Sequence, residues 1–140
     1  MASRKSKVPG FYGVRLLVRD FRKSWHFYRD RIGLTPRTGH GESPYGEFVW
    51  QGKALLALYD RTRMAKAVGL APGRYSSKSV GRSAVILSVA DVDRFAEVLA
   101  RRKVRLLERP TNHPVWGLRT IHFRDPDGYL VEVFSRIPSP

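Results

Sequence analysis

A chain of 140 residues with 42% hydrophobic and 11% aromatic side chains has the size and composition of one globular domain with its own core. It has no cysteine, which excludes disulfides, thiolate nucleophiles and Cys-ligated metal centres, and no apolar run reaches the roughly 20 residues of a membrane-spanning helix. Lys and Arg number 26 against 12 Asp and Glu, a net charge of +14; such a field attracts anions of every kind, but the cations are scattered, which favours a solvated basic surface over dedicated nucleic-acid binding.

Residues 1–10 read as a basic, flexible tail. No apolar segment follows Met1–Lys7, so this is not a secretion signal, and a cytoplasmic location is expected. Val14–Asp20 then alternates as V-x-L-x-V-x-D, the pattern of a strand with one apolar face. Its terminal Asp is placed to cap a helix over Phe21–Ile32, where Phe21, Trp25, Tyr28 and Ile32 fall along one side. Further strands include Leu56-Ala57-Leu58-Tyr59. Residues 61–82 form a linker or flap, with Pro72-Gly73, Ser76-Ser77-Lys78-Ser79 and one helical turn near Arg63–Val68.

The opening pattern then recurs. Val85–Asp91 repeats V-x-L-x-V-x-D, and a second helix follows over Val92–Arg102, with Phe95, Val98 and Leu99 at helical spacing. Arg101-Arg102-Lys103 closes it, where cations favour the helix dipole. Val131-Glu132-Val133-Phe134 matches Leu56–Tyr59. The simplest reading is strand, helix and three strands, twice: a first module over 11–60 and a second over 83–136. Asp125-Pro126-Asp127-Gly128 joins the last two strands, proline presetting one φ and glycine free to take a positive one.

Taken with Ser24-x-x-Phe27-Tyr28, Ile32-Gly33-Leu34, Trp116-Gly117 and Asp125–Val133, these repeats resemble the vicinal oxygen chelate superfamily of glyoxalases, bleomycin-resistance proteins and dioxygenases. The resemblance spans about residues 11–136. It implies an α+β fold of two tandem βαβββ modules, whose sheet curves round a cleft with the helices outside. It also implies a homodimer.

Metal-dependent relatives carry ligands on the first and last strand of each half. The matching positions are Gly13, Ala57, Ala84 and Glu132, so only Glu132 retains a ligating side chain. One carboxylate, even joined by His122, falls short of the three or four ligands a transition metal takes. No metal and no cofactor are therefore expected, and the metal-dependent lyase, dioxygenase and thiol-transferase chemistries are set aside. Strand parity carried over from these positions assigns Arg15, Leu17, Leu55, Ala57, Tyr59, Ile86, Ser88, Leu130 and Phe134 to the cleft, with Thr120 and His122 joining Glu132 in the usual register. Phe48 and Trp50 would add an aromatic wall or belong to the core. Glycine and alanine in place of ligands leave space for a small molecule. Arg15 suits a carboxylate or phosphate, and His122 beside Glu132 suits proton transfer. His26, His40 and His113 are expected on the surface.

The first functional expectation is a metal-independent binding protein of the bleomycin-resistance type. Bleomycin is cationic and the chain strongly basic, so a neutral or anionic organic ligand fits better. The alternative is a lyase, isomerase or dioxygenase-type enzyme using Glu132 and His122, either metal-free or with unorthodox metal ligands. A third, weaker expectation is nonspecific nucleic-acid binding through the basic surface.

Overall fold

The computed structural model describes residues 11–38, 41, 43–73 and 83–138. The basic tail, His40 and Ser76–Ser79 lie outside the described residues.

Two copies of one βαβββ arrangement make up the fold. The first contains β1 (Val14–Val18), α1 (Phe21–His26) with its continuation Phe27–Ile32, β2 (Thr35–Thr38), β3 (Tyr45–Trp50) and β4 (Lys53–Asp60). After α2 (Arg61–Val68) the second contains β5 (Ala84–Ser88), α3 (Val92–Arg101), β6 (Thr111–His113), β7 (Leu118–Arg124) and β8 (Leu130–Arg136). Each copy forms a four-stranded mixed sheet, ordered β1-β4-β3-β2 and β5-β8-β7-β6. Each expected module thus contributes one sheet. In each, the first strand pairs only with the last, in parallel, and stands at an edge.

Local signals set the elements. Asp20 and Asp91 accept from the backbone N–H of Lys23 and Arg94, as their place after each opening strand predicts. Beyond His26 the first helix widens to π winding, with the Gly33 N–H reaching Tyr28 O at 3.1 Å. Both Phe27 and Tyr28, adjacent in sequence, are buried there. The expected single turn near Arg63 is a helix of eight residues, capped by Asp60 and ended by Gly69 at φ 72°.

One core lies on the helix side of both sheets. Leu16, Val18, Leu56 and Leu58 of the first sheet and Ile121, Phe123, Val131 and Val133 of the second are buried, with Trp25, Tyr28, Val92 and Leu99 packed over them. Each large apolar side chain contributes about 1.5–3 kcal/mol by leaving water. Phe48 belongs here. It is fully buried and stacks on Trp25 at 4.6 Å, so of the two expected places it takes the core. In β3 the pleat turns Glu47 to the opposite face, so its neighbour Phe48 must face the helices.

The closing hairpin ties the modules together. Gly128 takes φ 90°, and its N–H bonds Asp125 O at 2.9 Å. Asp125 Oδ2 accepts from the Tyr28 hydroxyl at 2.6 Å, and its Oδ1 from the N–H groups of Asp127 and Tyr129. Asp127 accepts from Ser24 Oγ at 3.0 Å and from the Arg19 backbone N–H at 2.9 Å. Burial, reinforced by the Asp125 charge, pushes the Tyr28 hydroxyl well above its ordinary value, so it stays a donor.

Candidate functional site

The strand faces turned away from the core carry equivalent rows of residues. In the first sheet Arg15, Ala57 and Glu47 lie abreast on β1, β4 and β3. In the second, Ile86, Glu132 and His122 occupy the same places on β5, β8 and β7. Register thus puts His122 and Glu132 directly opposite one another, on the face that parity expected.

On the second sheet His122 sits between two carboxylates. Its Nε2 lies 2.8 Å from Glu132 Oε1, and its Nδ1 lies 3.2 Å from both oxygens of Glu108. The His122 backbone N–H also donates to Glu108 Oε1 at 2.6 Å. Each ring nitrogen thus faces a carboxylate, with donor and acceptor roles set by the tautomer. The imidazole and the Glu132 carboxyl are 16% and 18% exposed, close enough to solvent to meet a ligand.

The first sheet holds a different cluster. Glu47 Oε1 accepts from Arg37 Nη2 at 2.6 Å, and its Oε2 from the hydroxyls of Tyr45 at 2.6 Å and Tyr12 at 2.9 Å. The tyrosine and arginine donors hold the carboxyl well below its ordinary 4.5, at about 2. Arg15, exposed, lies 5.3 Å over the Tyr45 ring. Tyr12, Gly13, Arg15, Tyr45, Glu47 and Ala57 help line a cavity of about 210 Å³. A Cβ added at Gly13 would meet nothing closer than 3.9 Å, so a side chain there has room.

Two apolar cavities flank the edge strands. One of about 250 Å³ lies between the first sheet and β5, lined by Val14, Leu16, Leu55 and the Ser83–Leu87 segment. Another of about 240 Å³ brings Trp50, Ile86 and Ser88 together with Ile32, Leu34 and Phe95. Val14, Trp50 and Ile86, which line these cavities, are 50, 63 and 59% exposed. Trp50 differs from Phe48 in ending its strand, where it is left exposed.

The remaining expected contacts divide between the sheets. Leu17 and Tyr59 pair on the first, with Tyr59 5.9 Å from Tyr45; Leu130 and Phe134 are half-buried on the second. Thr120 pairs with Phe134 but is fully buried, its Oγ1 unpartnered, so no ligand reaches it as it stands. His26 contacts Asp30 on the helix surface, and His113 ends β6, stacked on Trp116.

These residues do not fit a transition metal. Gly13, Ala57 and Ala84 bring no donor atom, Glu132 Oε1 is engaged by His122, and among the described residues no group of three His, Asp or Glu is arranged to hold a metal ion.

Sequence reasoning missed Glu47 and Glu108. Glu47 precedes Ala57 by the same spacing as His122 precedes Glu132, so carrying the register through the repeat finds it. For Glu108 there was no signal, since it comes from the irregular segment before β6.

Comparison with known proteins gives one family. The profile of the glyoxalase/bleomycin resistance protein/dioxygenase superfamily matches residues 12–133. The Bacillus subtilis protein YraH, itself uncharacterized, is 32% identical over 124 residues, which are 89% of this chain and 96% of that one. A Nocardioides structure described by the same superfamily name has a TM-score of 0.75 at 23% identity, covering 98% of this chain and 89% of its own. A lactoylglutathione lyase from Agrobacterium tumefaciens has a TM-score of 0.68 at 22% identity, over 89% and 92% of the two chains.

Proposed function

The chain belongs to the glyoxalase/bleomycin resistance protein/dioxygenase superfamily, and on that premise we propose that it binds a small neutral or anionic organic ligand without a resident metal. The observation that carries this reading is the two apolar cavities along the edge strands, one lined by Val14 and Ile86 and the other by Trp50 and Ile86, with the Arg15 cation over Tyr45 in a third cavity on β1. Apolar walls with a few fixed polar groups make a small-molecule site. Glu47 is already neutralised by Arg37, which leaves Arg15 to attract an anion. Ala84, Ile86 and Ser88 are exposed along one face of β5, and two copies of the chain cover such a face by pairing. A homodimer is therefore part of the proposal, as is a cytoplasmic location. No helix among the described residues is long and apolar enough to cross a membrane.

The Glu132–His122–Glu108 row supports a second reading. A carboxylate bonded to an imidazole can take and return a proton, which suits a metal-free lyase or isomerase. Elemental analysis of protein purified without chelators tests the shared premise. Substoichiometric metal supports it; about one tightly held ion per chain overturns both readings and revives metal-dependent chemistry.

A further inference from the structure

Away from the open sheet faces, on the side of the molecule that carries the helices, a groove of about 510 Å³ runs between α1 and its continuation, the segment after α3, and the closing hairpin. Five cations line it: Lys23, Arg31, Lys103, Arg105 and Arg124. Asp125 is its one acidic residue, and the Asp125 carboxylate is turned inward to Tyr28 and two backbone N–H groups. Arg124 Nη1 donates to Gly128 O, which fixes that side chain along the wall. Among the described residues Lys23, Arg31, Lys103 and Arg105 have no carboxylate partner.

Gathering like charges around one concavity costs Coulomb energy that a bound anion removes. The groove is not merely basic. Phe27 and Val104 are buried in its floor, and Leu107 lines it while 54% exposed. Cations around an apolar floor fit one ligand class better than others: an organic phosphate whose phosphates meet the guanidinium and ammonium groups while its apolar or aromatic part covers Leu107.

We propose that this groove is a second ligand site, for an organic phosphate with an apolar or aromatic body, separate from the open sheet faces. It gives part of the +14 charge a specific use.

Calorimetric titration with ATP tests it, with adenosine and inorganic tripolyphosphate as the two halves of the probe. ATP is expected to bind with one site per chain and more tightly than either half. The Arg31→Glu/Arg105→Glu variant is expected to weaken ATP about tenfold or more, because two charge-assisted contacts become repulsions. Arg63→Glu on the exposed face of α2 is expected to change the affinity less than about twofold. Arg31→Gln/Arg105→Gln, with folding checked by circular dichroism, separates lost contacts from a disturbed fold. The proposal is overturned if ATP fails to bind, if tripolyphosphate binds as tightly as ATP, or if Arg63→Glu weakens binding as much as the groove variant. The last result would mean a diffuse field without a site.

Discussion

The hydroxyl of Tyr28, in the first module's helix, donates at 2.6 Å to Asp125 of the second module's closing hairpin. Both groups are buried, and Ser24 and Asp127 repeat the arrangement one turn away. The sequence motifs of the two modules therefore hold each other. Tyr28→Phe leaves Asp125 Oδ2 buried without a donor, and the expected loss is about 1–3 kcal/mol. Urea unfolding measures it; an unchanged midpoint contradicts a structural role for the pair.

Glu47 ties acid stability to the first sheet. Its carboxyl is lowered from 4.5 to about 2 by Tyr45, Arg37 and Tyr12. A carboxylate with a depressed folded value stabilises the fold fully above its unfolded value and loses that contribution as pH falls through the folded one. Glu47→Gln is expected to be less stable than the parent at neutral pH. The difference narrows between about pH 4.5 and 2. Thermal melts across that window check it, and a difference independent of pH contradicts it.

The proposed pairing of two chains through the open faces would place Ile86 in the contact. At 59% exposure it loses little when the single chain folds, so Ile86→Glu is expected to spare monomer stability. It weakens dimerisation about tenfold or more by putting a charge into an apolar contact. Sedimentation velocity over a concentration series reads both. A dimer unaffected by the substitution moves the interface elsewhere.

The repeat made most of this fold legible. V-x-L-x-V-x-D marked β1 and β5 with their capping aspartates, and strand parity put Arg15 and Ala57, and Ile86 and Glu132, on common faces, where they pair. His122 was set on the face of Glu132 by the register that the resemblance implies, and the two residues pair. Phe48 and Glu47 were harder. Tyr45–Trp50 has apolar residues on both faces, so its pleat is set by pairing with β4 rather than by visible alternation. The full length of α2 was readable from Asp60 and Gly69, a cap and a left-handed terminator, but its polar composition hid it. The contact of Glu108 with His122 depends on tertiary packing of an irregular segment, which no periodicity records.

The most direct test of a metal-free, anion-preferring open face is a thermal-shift screen of small aromatic carboxylates in the presence of a chelator. Parent, Arg15→Ala and the Arg31→Glu/Arg105→Glu groove variant are compared side by side. The account predicts compounds that stabilise the parent and the groove variant equally with and without chelator, and that lose this effect in Arg15→Ala. Stabilisation that needs a divalent metal, or that survives removal of the Arg15 guanidinium, contradicts it.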